Sequence, residues 1–292
     1  MRILFAIVFF INILPLSAQQ ENKYPVEFGQ FMNTTILYNP AAYEAHNHIN
    51  FQAGILQYIG PYKSIKTYYS TLSYQLIKKY THTFGANFFA DHEGDLITRN
   101  NFYGRYAIQM TLNEKYSLAS GTSIGFVNYA FNGSTPYSTG AATNIDASVG
   151  IWLHHKKYNV GYALNQLTNS VLKPIEESFI LHPYSTFNAD YIYRCHPNLN
   201  LKGYLVSRLY NKISNNVEAA ILLEHYQTFN WGVGLKTQRG INFYIGINKI
   251  PIVEDNLHIL FSYFIPTFEN QANRYNFFEI NLSYGINVKQ AK

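Results

Sequence analysis

From Ile49 onward the chain alternates apolar and polar residues with period two, in one run after another. The last run, Tyr275 to Asn287, shows the pattern clearly. Phe278, Ile280, Leu282, Tyr284 and Ile286 share one face, and Phe277, Glu279, Asn281, Ser283, Gly285 and Asn287 share the other. Such alternation belongs to β-strands with one apolar and one polar side. A soluble sheet would need a second layer to cover the apolar side. In a bilayer, lipid covers it, and a tilted strand of about 9–11 residues crosses the hydrocarbon core.

Fourteen runs can be counted, at about 48–55, 66–77, 81–91, 98–110, 116–129, 144–153, 158–167, 184–194, 199–209, 217–224, 228–237, 241–248, 257–265 and 275–287. An even number closes a single-chain bacterial barrel. The predicted fold is therefore all-β: an antiparallel transmembrane outer-membrane β-barrel of 14 strands with a short N-terminal periplasmic segment. Most connections agree with it, although 211–213 and 238–240 are short for outer loops and 251–256 is long for a periplasmic turn. Segments 78–80, 112–114, 155–157 and 226–227 are tight and follow even strands, whereas 130–142, 168–183 and 266–274 are long and follow odd ones. With a periplasmic N-terminus, the tight turns are periplasmic and the long loops outside.

Composition narrows the class further. Charged residues make up 13% of the chain, against about 25% in a typical soluble domain, and aromatics 17%. Aromatic girdles at both membrane faces use such residues. Residues 1–18 read as a signal peptide, with Arg2 before an apolar core at Ile3–Leu14 and cleavage after Ala18. That core is too short for a spanning helix. The expected organisation is then 19–47 as a periplasmic or plug segment, 48–288 as the barrel and 289–292 as a tail. The net charge of +5 is spread along the chain, with no basic run to meet nucleic acid. The single Cys195 rules out an internal disulfide framework and reads as a buried, inert thiol.

Near the start, Gln30-Phe31-Met32-Asn33 is followed by Leu37-Tyr38-Asn39-Pro40-Ala41-Ala42-Tyr43. Further on come Gln57-Tyr58-Ile59-Gly60, Ile65-Lys66-Thr67 and the closing Phe278-Glu279-Ile280-Asn281-Leu282-Ser283-Tyr284. In this order the segments resemble the PorP/SprF family of Bacteroidetes outer-membrane proteins, linked to type IX secretion and gliding motility. The resemblance covers the whole mature chain. It departs at Ala42-Tyr43-Glu44-Ala45, where the family's glycine is missing, and at the extension Val288–Lys292. It implies an accessory of the secretion or gliding machinery that supports secretion or surface attachment of a cargo adhesin. Partners would be outer-membrane lipids, cargo at the outer loops, and periplasmic ring components.

The residues offer two groups for this role. Gln30, Phe31, Met32, Asn33, Asn39 and Pro40 form a docking or plug motif, in which Asn39-Pro40 favours a rigid turn. Asp146, Asp190, Glu218, Glu224 and Glu279 fall on the inward face. They would line a cation-preferring pore or pair with inward basic groups or a plug. His154 and His155 point to opposite faces of one strand and do not chelate together. No H-E-x-x-H, G-x-S-x-G or P-loop occurs, and no metal, cofactor or catalysis is expected. A porin or solute channel, and an outer-membrane lipase, are the alternatives of the same fold.

Overall fold

The computed structural model describes residues 28–43, 48–133, 139–176, 178–210, 216–237, 239–252, 255–267 and 275–286. The proposed signal peptide and the tail 289–292 lie outside them. Fourteen antiparallel strands close into one barrel. They are β1 (Ile49–Tyr58), β2 (Lys66–Ile77), β3 (Thr81–Glu93), β4 (Ile97–Thr111), β5 (Tyr116–Asn132), β6 (Thr139–His155), β7 (Tyr158–Asn165), β10 (Tyr184–His196), β11 (Leu199–Tyr210), β12 (Asn216–His225), β13 (Phe229–Lys236), β14 (Gly240–Ile252), β15 (Asp255–Pro266) and β16 (Phe277–Ile286). Two short strands, β8 (Val171–Leu172) and β9 (Phe179–Ile180), form a separate hairpin in the long β7–β10 loop. Each barrel strand pairs with its sequence neighbour, β10 following β7. β1 and β16 zip the seam, with Ile49 opposite Ile286 and Tyr58 opposite Phe277.

The predicted alternation sets which side meets what. Phe51, Phe84, Ile124, Ile151, Trp231, Leu235 and Ile245 point out and are exposed, whereas Gln52, Thr83, Ser123, Asn188 and Asn242 point in and are buried. The outside is greasy and the inside polar, as a lipid-embedded barrel requires. Tight turns at 156–157 and 197–198 lie at one end, which also holds the start of β1 and the end of β16. The long β7–β10 loop lies at the other. No helix among the described residues is long and apolar enough to cross a membrane.

Two expectations need correction. The segment 130–142 is not all loop: β5 runs on to Asn132 and β6 starts at Thr139. Outward positions there are Asn128, Ala130, Thr139, Ala141 and Thr143, so the hydropathy signal fades while the hydrogen-bonded ladder continues. Cys195 is exposed rather than buried, because β10 extends past the apolar band to His196.

Candidate functional site

The functional candidate is the stretch 28–43, which the structure places inside the barrel rather than against its mouth. Residues 29–33 form a turn, and α1 (Thr35–Tyr38) is a single helical turn. Pro40 explains why α1 stops. It forces the preceding residue out of the helical region, and Asn39 is extended at φ −132 and ψ 107. Phe28, Gln30, Phe31, Thr34, Tyr38, Asn39, Ala41 and Ala42 are each no more than 3% exposed.

One anchor lies toward the loop end, on the closing seam. The Gln30 backbone N–H donates to Glu279 Oε2 at 3.0 Å, and its side-chain Nε2 donates to the carbonyl oxygens of Glu279 and Leu260 at 2.9 and 3.0 Å. Tyr69 donates from its hydroxyl to Glu279 Oε1 at 3.3 Å, and Tyr244 donates to the Gly29 carbonyl at 2.8 Å. Phe28 packs edge-on to Tyr69, with ring centres 4.7 Å apart, and joins Leu56, Phe264 and Phe277. Phe31 packs against Val206, Ala220, Leu222 and Tyr244. Arg208 lies over the Tyr38 ring at 4.3 Å.

The second anchor is the Asn39-Pro40 turn on the inward faces of β5 and β6. Asn39 Oδ1 accepts from Ala41 N–H at 3.0 Å, and its Nδ2 donates to the Ile151 carbonyl at 3.2 Å. The wall is bare where the turn sits. Gly121 and Gly150 are directly opposite each other. A Cβ at Gly121 would lie 2.5 Å from the Pro40 oxygen, and one at Gly150 2.2 Å from Asn39 Oδ1. Arg105, 4% exposed, donates to the Ala42 carbonyl. Tyr43 shares a hydrogen bond with Ser117 Oγ at 2.9 Å. Burial pushes the Tyr43 phenol above its ordinary pKa, and the Ser117 bond works against that shift.

The five inward acids all have close partners. Asp146 accepts from Tyr103 at 2.8 Å and from the Ala147 N–H at 2.8 Å. Asp190 accepts from Asn159 with both oxygens. Glu218 pairs with Arg208 and Lys236, and Glu224 with Lys202 and Asn200. Glu279 holds Gln30. The two predicted groups therefore meet where Gln30 bonds Glu279, while the other acids bind their own neighbours. Met32 packs at the margin of the Phe31 cluster, and Asn33 approaches Asn281. His154 faces inward toward Asn159 and Tyr43, and His155 packs on Tyr116 and Tyr158. A cavity of about 500 Å³ remains beside the segment, lined in part by Asn33, Tyr43, Asp190, Lys202, Glu224 and His258. Among the described residues no cluster of His, Cys, Asp and Glu could hold a metal ion.

Sequence reasoning missed the receiving side of these contacts: Tyr69, Arg105, Gly121, Gly150, Arg208 and Tyr244. The two glycines carried a usable signal, since glycine inside a strand marks a close backbone approach. It also missed the second filling of the lumen. The β7–β10 loop folds inward at the loop end, where Leu172 and Leu181 pack on Val127 and Tyr129.

Comparison with known proteins matches this architecture. The family described as type IX secretion system membrane protein PorP/SprF matches residues 20–284. Among curated proteins none matches the sequence. Similar solved structures include the Ralstonia pickettii toluene transporter TbuX, at TM-score 0.59 and 8% identity over 87% of this chain and 93% of that one. The P. putida toluene transporter TodX gives 0.56 and 8% over 88% and 95%. A Pseudomonas aeruginosa FadL homologue gives 0.54 and 8% over 85% and 92%. At such identity these likenesses show a shared barrel fold.

Proposed function

The chain belongs to the PorP/SprF family of type IX secretion system membrane proteins, and from that premise we propose that it is a plugged outer-membrane accessory that holds a secreted polypeptide at the cell surface. One observation carries the reading: the family match runs from residue 20 to 284 and so takes in both the barrel and the segment inside it. The loop end faces the medium and offers the cargo surface. The end with the tight turns faces the periplasm and meets the secretion or gliding machinery. Residues 28–43 act as the plug, and catalysis has no part in the mechanism. The protein works by shape, with a lipid-facing band, a filled lumen and two exposed ends.

A general porin needs an open lumen, and the packed 28–43 segment argues against that use. The hydrocarbon-transporting barrels lend no substrate to this chain, because their likeness is one of fold. The test is isolation of the protein from native outer membranes in mild detergent, with mass spectrometry of what remains bound. Recovery of a secreted surface polypeptide or periplasmic secretion components is the expected result. A partner-free barrel that conducts ions steadily in planar bilayers would overturn the reading.

A further inference from the structure

The cavity of about 500 Å³ beside residues 28–43 lies toward the tight-turn end of the barrel. Asn159 and Asn230 on its wall stand just past the turns at 156–157 and 226–227. Met32, Ile36, Leu222 and Leu260 give it an apolar patch, and most of the remaining wall is polar. Its volume is that of a small-molecule site, about 300–1,000 Å³.

Three side chains of the wall are buried with a polar atom unused. Among the described residues none bonds Trp152 Nε1, Gln52 Oε1 or Asn230 Oδ1. These residues are only 6%, 4% and 8% exposed. Buried polar groups are normally bonded, and each exception calls for a partner. Neither amide can turn over to cure the defect. Gln52 Nε2 donates to Asn281 Oδ1 at 3.4 Å, and Asn281 Nδ2 donates to the Tyr69 hydroxyl at 2.6 Å. Asn230 Nδ2 donates to Asn248 Oδ1 at 2.7 Å, and Asn248 Nδ2 donates to Glu224 Oε2 at 3.0 Å. A flip at Gln52 or Asn230 would set oxygen against oxygen. Both amide oxygens are therefore held as acceptors, and the indole N–H stays a donor.

The wall selects no ion. Asp190 and Glu224 balance Lys202 and Lys249 in charge. Glu224 pairs with Lys202, Asp190 holds Asn159, and Lys249 donates to Gln227. Two fixed acceptors, one donor and an apolar patch remain. The matching ligand is neutral, donates at least twice, accepts at least once and has a C–H face. A hydroxyl both donates and accepts, and a sugar ring sets several hydroxyls around C–H faces. A peptide unit has one donor and one acceptor. Gln52 on β1 and Asn230 on β13 are four steps apart in the strand order, which favours two linked rings over one.

We propose that this cavity binds a neutral disaccharide unit, either free or as part of a cell-wall glycan, through Gln52, Trp152 and Asn230. The inference goes beyond the cargo role and does not depend on it, so either can fail while the other stands.

The chain has two tryptophans, and Trp231 points outward, so Trp231→Phe leaves Trp152 as a reporter in the cavity wall. The full-length protein in this background is folded in an amine-oxide detergent, which carries no sugar. It is titrated with maltose, cellobiose and N,N′-diacetylchitobiose. The expected result is a saturable change in Trp152 emission with at least one of them, at a Kd of about 1 mM or tighter. Gln52→Leu and Asn230→Leu, checked for folding by heat-dependent gel mobility, should each bind at least tenfold more weakly. No saturable change with any of the three sugars overturns the inference, as does parental affinity in a folded variant. Should neither variant fold, the permethylated form of the bound sugar decides, since it keeps the rings and loses every hydroxyl donor. It must bind at least tenfold more weakly, and equal binding overturns the inference. A neutral N-acetyl dipeptide amide that binds more tightly than every sugar overturns it too. Sedimentation of the barrel with purified cell-wall glycan, blocked by the bound disaccharide, identifies the wall as the source. Disaccharide binding without sedimentation identifies a free sugar, and either source upholds the inference.

Discussion

Glu279 is where a family motif at each end of the chain meets the other. Its carboxylate accepts from the Gln30 N–H and the Tyr69 hydroxyl in a fully buried setting. Glu279→Leu leaves both donors without an acceptor, at about 1–3 kcal/mol for each buried orphan. The expected outcome is a lower urea midpoint for the detergent-folded barrel, with Glu279→Gln falling less because its amide oxygen still accepts. Gly121 tests the other anchor. A side chain there meets backbone rather than a flexible tip, so Gly121→Val should cost about 1–3 kcal/mol by overpacking. It should also open 28–43 to added protease, and an unchanged digestion pattern would show that the turn does not depend on the bare wall. The inward position of the acids was legible from alternation alone. Their partners were not, because Arg208 lies 10 residues from Glu218 and Gln30 lies 249 from Glu279, and a period carries no information about which strands meet.

At the level of elements, the strands were readable wherever lipid enforced the alternation. β2 falls at Lys66–Ile77, where the pattern places it. The signal failed toward the loop end, where the inward face of β5 is covered by the β7–β10 loop and the outward positions of β5 and β6 turn polar. It failed again at 28–43, which is enclosed on all sides and so has no apolar–polar period to display. Asn39-Pro40 correctly marked a turn, but its seat on Gly121 and Gly150 belongs to the tertiary structure. The segment is a separable element, and the prediction at this scale is direct. Removing 28–43 should turn an electrically silent barrel into one that carries steady current in planar bilayers. Equal silence with and without the segment would mean that the inward-folded β7–β10 loop closes the lumen by itself.

The whole molecule is a polar interior wrapped in an apolar coat, and the two sides should respond oppositely to charge. Ile245, central on β14 and 63% exposed, faces the lipid. Ile245→Arg should cost about 2–4 kcal/mol and lower the fraction that folds into vesicles, as read by heat-dependent gel mobility. Fold class and loop asymmetry came from the sequence because both are properties of the entire chain in a bilayer. The filled lumen has one more consequence, for the order of events in assembly. Residues 28–43 touch β5 and β6 on one wall and β15 and β16 on the other, so strands synthesised long apart are gathered on one short piece of chain. A chain lacking that piece must bring β1 to β16 without a common scaffold, and should become heat-modifiable more slowly than the parent after a pulse of synthesis. The N-terminal segment is then a mandrel, the form around which the cylinder is wound.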